Sequence, residues 1–423
     1  SGGVVCKSLV DVYPLKHDDP TVEITSADVR RWLGIDLSGS EIAGILGRLG
    51  FDTKIKGDSV LAVTPDHRLD IDTDPVNAKA DLMEEISRVY GYENIPETRL
   101  RDRLPVQRNN LLLDFEEKVR DLLVRLGLQE TISYRLTSPE REARRLPPDL
   151  EPDLKPYVEL LNPIAVDCYV MRKSLMASIF ETVEGNARIR ERIAVFEIGN
   201  VFLASEEGEL PEENLRLGIA LTGPRQEPAW QGADSGLMDF YDLKGVVSGL
   251  LDGLHIKDVH YSQHTYPIFH PGKCAGIGAA GKQIGVMGEV NPLTHAQYDF
   301  PDAPLLGAFF YMDALFEAAP ALHEVTPVSA YPPVLEDIAL VVDADLPAAD
   351  VAAMILQTGG KALTEVRLFD VYQGEQIGKG KKSLAYSLTY QAEDRTLTDK
   401  EVAKLRSKIV GRLERELGAQ LRS

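Results

Sequence analysis

The chain has 423 residues, 44% of them hydrophobic and 26% charged, with 66 acidic against 46 basic side chains and a net charge of -20. A chain of that length buries several cores, and two to four domains are expected. Its acidity excludes a nonspecific coat on nucleic acid, because phosphate repulsion would dominate, and no apolar run approaches the roughly 18 to 20 residues that span a bilayer, so no membrane partner is expected.

Residues 1–20 open with SGGVVCKSLVDVYP. A basic region followed by an apolar core is missing, and the stretch reads as the edge of a larger protein or an expression remnant. Residues 21–96 then begin with two polar-capped helix starts. Thr25 is followed three residues on by Asp28, and Ser38 by Glu41, with Gly34 and Gly50 as stops. A hairpin follows, with strands over 51–56 and 60–64 and a turn at Gly57-Asp58. Two short helices and a hairpin resemble a winged helix-turn-helix, read here as a scaffold because its helices carry few basic residues.

The next stretch, TPDHRLDIDTDPVNAKADLMEEISRVYGYENIP, organises the chain. It turns at Pro65-Asp66, presents Asp70 from the end of the preceding strand, and enters a helix over 81–90 whose Leu82, Ile86 and Val89 share an apolar stripe. Asp81, Glu84 and Glu85 then fall toward the opposite side, near the positive end of the helix dipole. With Asp70 they make four hard oxygen donors, the set Mg²⁺ prefers, although the same residues also read as an acidic turn on a solvated helix. Asp72 and Asp74 are competing ligands.

After a polar connector with Pro96 and Pro105, a domain spans 109–320. Its first helix, over 114–127, places Phe115, Val119, Leu122, Leu123 and Leu126 on one face and stops at Gly127. Ile132, Tyr134 and Leu136 alternate as a strand, and further strands are expected over 194–202, 215–222, 274–280, 283–289 and 306–312. A helix over 241–254 lies among them, and a hairpin turns at Gly281-Lys282. Strands joined this way predict a largely antiparallel sheet in an α+β arrangement. Arg172, Glu197 and Lys244 read as structural or interface residues, and His270-Pro271-Gly272 as a turn.

Residues 331–423 read as βαββαβ, the ferredoxin-like pattern, with strands near 337–342, 366–372, 383–391 and 420–422 and helices near 348–356 and 399–417. This block holds 13 Lys and Arg against 14 Asp and Glu, whereas the remainder holds 33 against 52. RNA contacts made by charge are therefore expected here. Cys6, Cys168 and Cys274, few and widely spaced, argue for a reducing, cytoplasmic compartment and against a zinc site.

RLD, DLMEE and RVYGYENIP together resemble the signature of the β subunit of phenylalanyl-tRNA synthetase. So do LGLQETISYRLTS, LNPIAVDCYVMRKSL, EGNARIRERIAVFEIGNVF, DFYDLKGVV, FHPGKCAGI and IGVMGEVNP, and, in the last block, YPPVLEDIALVVD, LFDVYQG, GKGKKSLAYSLTYQ and DRTLTDKEV. The resemblance implies a metal-binding winged-helix-like module over 21–96, a degenerate class II synthetase domain over 109–320 and a ferredoxin-fold anticodon-binding domain over 331–423. It implies Asp70, Asp81, Glu84 and Glu85 as Mg²⁺ ligands facing an α subunit. Lys379, Lys381, Lys382 and Arg395 are expected at tRNA phosphates, with Phe369, Tyr372 or Tyr390 offering a stacking face. Glu336 stands where the family commonly has Arg.

By the same resemblance the whole enzyme is an (αβ)₂ assembly that uses ATP and Mg²⁺ to attach phenylalanine to tRNA at a site on α. No glycine-rich stretch ending in an ATP-holding arginine is found here, so this chain alone is expected not to be catalytic. Two other classes remain open: a metal-dependent phosphohydrolase built on the acidic cluster, and a non-enzymatic RNA-binding adaptor.

Overall fold

The computed structural model describes residues 2–14, 19–98, 105–106, 108–150, 155–205, 210–325, 327–374 and 376–422. Part of the connector after Pro96 lies outside these. The chain divides into two compact units, Ser1–Arg108 and Asn109–Ser423, in a mixed α and β architecture with several sheets.

The first unit runs β1 (Thr21–Thr25), α1 (Ser26–Leu33), α2 (Gly39–Arg48), β2 (Asp52–Lys56), β3 (Ser59–Val63) and α3 (Pro75–Tyr90). Both expected caps form. Thr25 and Asp28 bond reciprocally, as do Ser38 and Glu41, and Gly34 ends α1 at φ 70°. The hairpin β2–β3 forms as expected, but β1 was not foreseen. It pairs antiparallel with β3, giving the order β1-β3-β2 over a core that includes Ile24, Ile42, Leu46 and Leu82.

α3 begins at Pro75, six residues before the expected start, because Asp74 caps it by accepting the N–H groups of Val76 and Asn77 at 3.0 and 3.1 Å. Asp81, Glu84 and Glu85 therefore sit beyond the first turn, where the dipole has little hold on them. Asp70 lies in the loop after β3 rather than at a strand end.

The second unit opens with α4 (Leu111–Arg125), capped by Asn110, then β4 (Gln129–Glu130), β5 (Leu136–Thr137), α5 (Pro139–Ala143), β6 (Val170–Met171) and α6 (Leu175–Ala187). There follow β7 (Ile193–Leu203), β8 (Glu212–Thr222), α7 (Phe240–Gly253), β9 (His260–Gln263), β10 (Phe269–Ala279), β11 (Lys282–Val290), α8 (Pro292–His295), β12 (Leu306–Tyr311) and α9 (Met312–Ala318). Seven strands form one sheet in the order β4-β7-β8-β12-β11-β10-β9, antiparallel except for the pair β4–β7. Its two faces bury separate cores. α4 and α7 contribute Val119, Leu123, Leu243 and Val247 to one, and α6 contributes Ile179, Phe180 and Val183 to the other.

Two expectations fail in this unit. Residues 131–135 form no strand, and Ile132 and Tyr134 are 90% and 88% exposed; alternation of apolar residues is a strand signal only where one face finds a core. His270-Pro271-Gly272 lies inside β10, where the register with β11 shifts between Phe269 and Cys274. Pro and Gly there make a bulge, not a turn.

The rest of the unit is β13 (Val334–Asp343), α10 (Ala348–Gly359), β14 (Leu363–Tyr372), β15 (Lys381–Tyr390), α11 (Asp399–Leu417) and β16 (Gln420–Leu421). Its sheet order, β14-β15-β13-β16 with antiparallel pairs throughout, is the expected split βαβ arrangement. The core gathers Leu340, Val351, Ile355, Tyr386, Ile409 and Leu413 from the sheet and both helices.

Candidate functional site

The acidic stretch folds around a cation of its own. Arg68 Nε donates to Asp70 Oδ1 at 2.8 Å and Arg68 Nη2 to Asp70 Oδ2 at 2.6 Å, while the same Nη2 reaches Glu85 Oε1 at 3.0 Å. Arg88, one turn further along α3, donates to Glu85 Oε2. Glu85 is thus buried between two arginines instead of lying on the solvated side. The hydrogen bonds from Arg68 lower the Asp70 carboxyl to about 2, and those bonds in turn hold the guanidinium above its ordinary value.

The other carboxylates take different partners. Asp81 Oδ2 accepts the N–H of Asp72 at 3.1 Å, and Glu84 is exposed. Asp72 accepts the N–H of Asp74 at 2.9 Å and the side-chain amide of Asn77 at 2.9 Å. Asp70 and Glu85 are therefore brought together through Arg68, and Asp81 and Glu84 are not. Among the described residues, no three His, Cys, Asp or Glu side chains are disposed to hold a metal ion. A cation entering between Asp70 and Glu85 meets the Arg68 guanidinium, so the four carboxylates as folded do not fit Mg²⁺. Arg68 was legible only as a charged neighbour of Asp70, two residues away.

In the terminal sheet, helices cover one face and the other stays open. A groove there is lined by Asp337, Glu365, Arg367, Phe369, Ser387 and Thr389, with Ser387 of β15 opposite both Arg367 of β14 and Asp337 of β13. Phe369 is 53% exposed. Tyr390 is fully buried and offers no stacking face, and the ring of Tyr372 lies under Arg422 at 5.4 Å.

The basic residues singled out from sequence divide. Lys381 Nζ is 2.7 Å from Asp343, and Arg395 Nη2 donates to Glu401 at 2.8 Å; that bond, with others from Thr398, lowers the Glu401 carboxyl to about 2. Among the described residues Lys379 and Lys382 form no ion pair. Arg367, which faces the groove, was not singled out; its alternation with Glu365 and Phe369 along β14 was the available signal. Glu336 meets Arg406 at 3.6 Å, so the position retains an ion pair.

On the seven-stranded unit the buried polar centre is a pair. Arg172 Nη1 lies 2.9 Å from Glu197 Oε1, both side chains almost fully enclosed, with Ser133 bonded to each and the carbonyl of Asn200 accepting from Arg172 Nε. Gly199 makes room, since a Cβ there would stand 2.3 Å from Arg172 Nη2. Lys244 rests over the Tyr261 ring at 5.0 Å. Apolar side chains also remain outside any core: Leu161, Ile164 and Val166 are 98%, 99% and 95% exposed.

The family profile described as the phenylalanyl tRNA synthetase beta chain CLM domain matches residues 95–309, that of the tRNA synthetase B5 domain residues 22–92, and that of the ferredoxin-fold anticodon binding domain residues 329–422. The phenylalanine–tRNA ligase beta subunits of Clostridium acetobutylicum and Bacillus cereus are each 34% identical over 425 and 428 residues, covering 100% of this chain and 51% of their own length. The chain thus spans about half the length of the curated relatives it matches. A solved pyrrolysyl-tRNA synthetase from Desulfitobacterium hafniense covers 48% of this chain and 67% of its own, at TM-score 0.36 and 16% identity, a likeness too slight to decide the fold. Three profiles in chain order, one of them covering half the chain, establish that this chain belongs to the phenylalanyl-tRNA synthetase beta chain family.

Proposed function

We propose that this chain serves as the β-subunit portion of a phenylalanine–tRNA ligase, supporting an α subunit that attaches phenylalanine to tRNA, within a cytoplasmic (αβ)₂ assembly. The observation that carries this reading is the nearly full exposure of the apolar side chains of Leu161, Ile164 and Val166, and of Ile132 and Tyr134. Apolar surface left outside every core is what an obligate subunit interface requires, since such interfaces bury roughly 2,000 Å² or more. In this reading residues 109–320 are a non-catalytic class II-like domain that pairs with α, and residues 21–96 are a winged-helix-like module. Residues 331–423 are the tRNA-binding arm, and residues 1–20 are the tail of a preceding domain.

ATP and Mg²⁺ act at the α-subunit site. No step runs through a metal on this chain, where Arg68 holds Asp70 and Glu85. On the arm, Phe369 stacks an unpaired base while Arg367, Lys379 and Lys382 meet phosphates. Lys381 and Arg395, already paired to Asp343 and Glu401, contribute less. Co-expression with a phenylalanine–tRNA ligase α subunit tests the reading: a stable complex supports it, and two proteins that separate on purification oppose it. No helix among the described residues is long and apolar enough to cross a membrane.

A further inference from the structure

A cavity of about 180 Å³ opens on the α6 face of the seven-stranded sheet, between the start of α6 and strands β8 and β12. Its floor is apolar, with Leu175, Met176 and Phe309, and three cations stand around it: Arg145, Lys173 and Arg216. No Asp or Glu lines it, in a chain with 66 of them. Glu142 is engaged elsewhere, accepting the backbone N–H groups of Lys173 and Ser174 at 2.7 Å each and the Tyr157 hydroxyl at 2.9 Å.

Lys173 Nζ donates to the carbonyl of Lys155 at 2.7 Å and Arg216 Nη1 to the carbonyl of Leu215 at 3.0 Å. Arg145 Nε is buried without a hydrogen-bond partner among the described residues. Arg216 is mostly enclosed, its guanidinium lying 4.8 Å from the Tyr311 ring centre and 3.9 Å from the exposed Asp313, and burial pushes it below its ordinary value. A buried donor with no acceptor costs free energy that a bound anion would recover.

We propose that this cavity is a binding site for a small organic anion, a carboxylate or phosphate ester carried on a compact apolar group, with Arg145 and Arg216 holding the anionic head and the floor residues the apolar body. The volume lies below the roughly 300 Å³ at which sites for drug-sized ligands begin, which limits the ligand to about one ring and a short arm. This goes beyond the scaffold reading and does not depend on it.

The test is calorimetric titration of the full chain with 3-phenylpropionate, phenyl phosphate and phenethylamine, three compounds of similar apolar body and different head. Saturable binding of one or both anions and none of the amine is expected, and the better anion identifies the head. Arg145→Met and Arg216→Met should each weaken binding by on the order of tenfold or more, with Arg216→Lys retaining part of it. Should a variant fail to fold, protection of Arg145 and Arg216 in the parent chain from phenylglyoxal by the bound anion, read by peptide mass spectrometry, reports the same site. Absence of saturable binding by either anion, equal binding of the amine, or binding indifferent to the substitutions and without protection overturns the proposal.

Discussion

Arg68 and Glu85 meet at 3.0 Å across 17 positions of sequence, and the same guanidinium holds Asp70. The pair ties the loop after the hairpin to the middle of α3. Its energetic weight comes from enclosure, since the two side chains are only 20% and 12% exposed.

Arg68→Met leaves Glu85 with Arg88 alone and should lower stability by about 1 to 3 kcal/mol, read as a shift in urea midpoint at unchanged slope. The Asp70 titration should move with it. A carboxyl lowered from 3.8 to about 2 contributes stability that is complete above its unfolded value and lost as pH falls through about 2. Because Asp70 is largely exposed, that contribution is small and screened by salt. In Arg68→Met its midpoint, followed by carboxyl NMR, should rise toward the unfolded value; a midpoint that stays put contradicts the assignment to Arg68.

Arg68 and a divalent cation compete for the same carboxylates. The Arg68→Met chain should therefore bind Mg²⁺ more tightly than the parent, and Glu84→Gln with Glu85→Gln added to it should abolish the gain. Equal Mg²⁺ affinity in parent and Arg68→Met, measured by calorimetry, would show that the guanidinium does not block the site.

How much of this was legible depended on range. Caps and stops are local chemistry, so Thr25, Ser38 and Gly34 announced α1 and α2, and the helix expected near 399–417 formed as α11. The start of α3 was misplaced because Asp74-Pro75, itself a cap followed by a first-turn proline, was read as loop. β1 was missed because its partner β3 lies on the far side of two helices. Acidic residues near one another in sequence suggested a metal site, but which carboxylate faces which cation is a tertiary fact. The pairing of Glu85 with Arg68 and Arg88 is such a fact, and spacing alone did not reveal it.

The buried pair on the seven-stranded unit makes a sharper stability test. Glu197→Ala strands the Arg172 guanidinium in an enclosed site and should cost about 3 to 5 kcal/mol, whereas truncating the exposed Glu84 should change little. A loss under 1 kcal/mol at Glu197 would mean that water reaches the pair.

For the terminal arm, Phe369→Ala should weaken tRNA binding by about 1 to 3 kcal/mol with little change in salt dependence, because stacking carries no charge. Arg367→Met or Lys382→Met should instead flatten the slope of affinity against salt by about one unit each if they meet phosphates. Lys381→Met should do less, since Asp343 already occupies it. Filter-binding titrations over a salt series separate these outcomes, and equal effects of all four changes would argue against the open sheet face.

The most direct measurement of the central claim is the mass, by light scattering during size-exclusion chromatography, of this chain co-expressed with a phenylalanine–tRNA ligase α subunit. The subunit reading predicts one peak holding two copies of each chain, dissolved when Leu161 and Ile164 are both changed to Asp without loss of this chain's circular dichroism. Separate peaks for the unaltered pair, or an assembly that survives Leu161→Asp with Ile164→Asp, would contradict it.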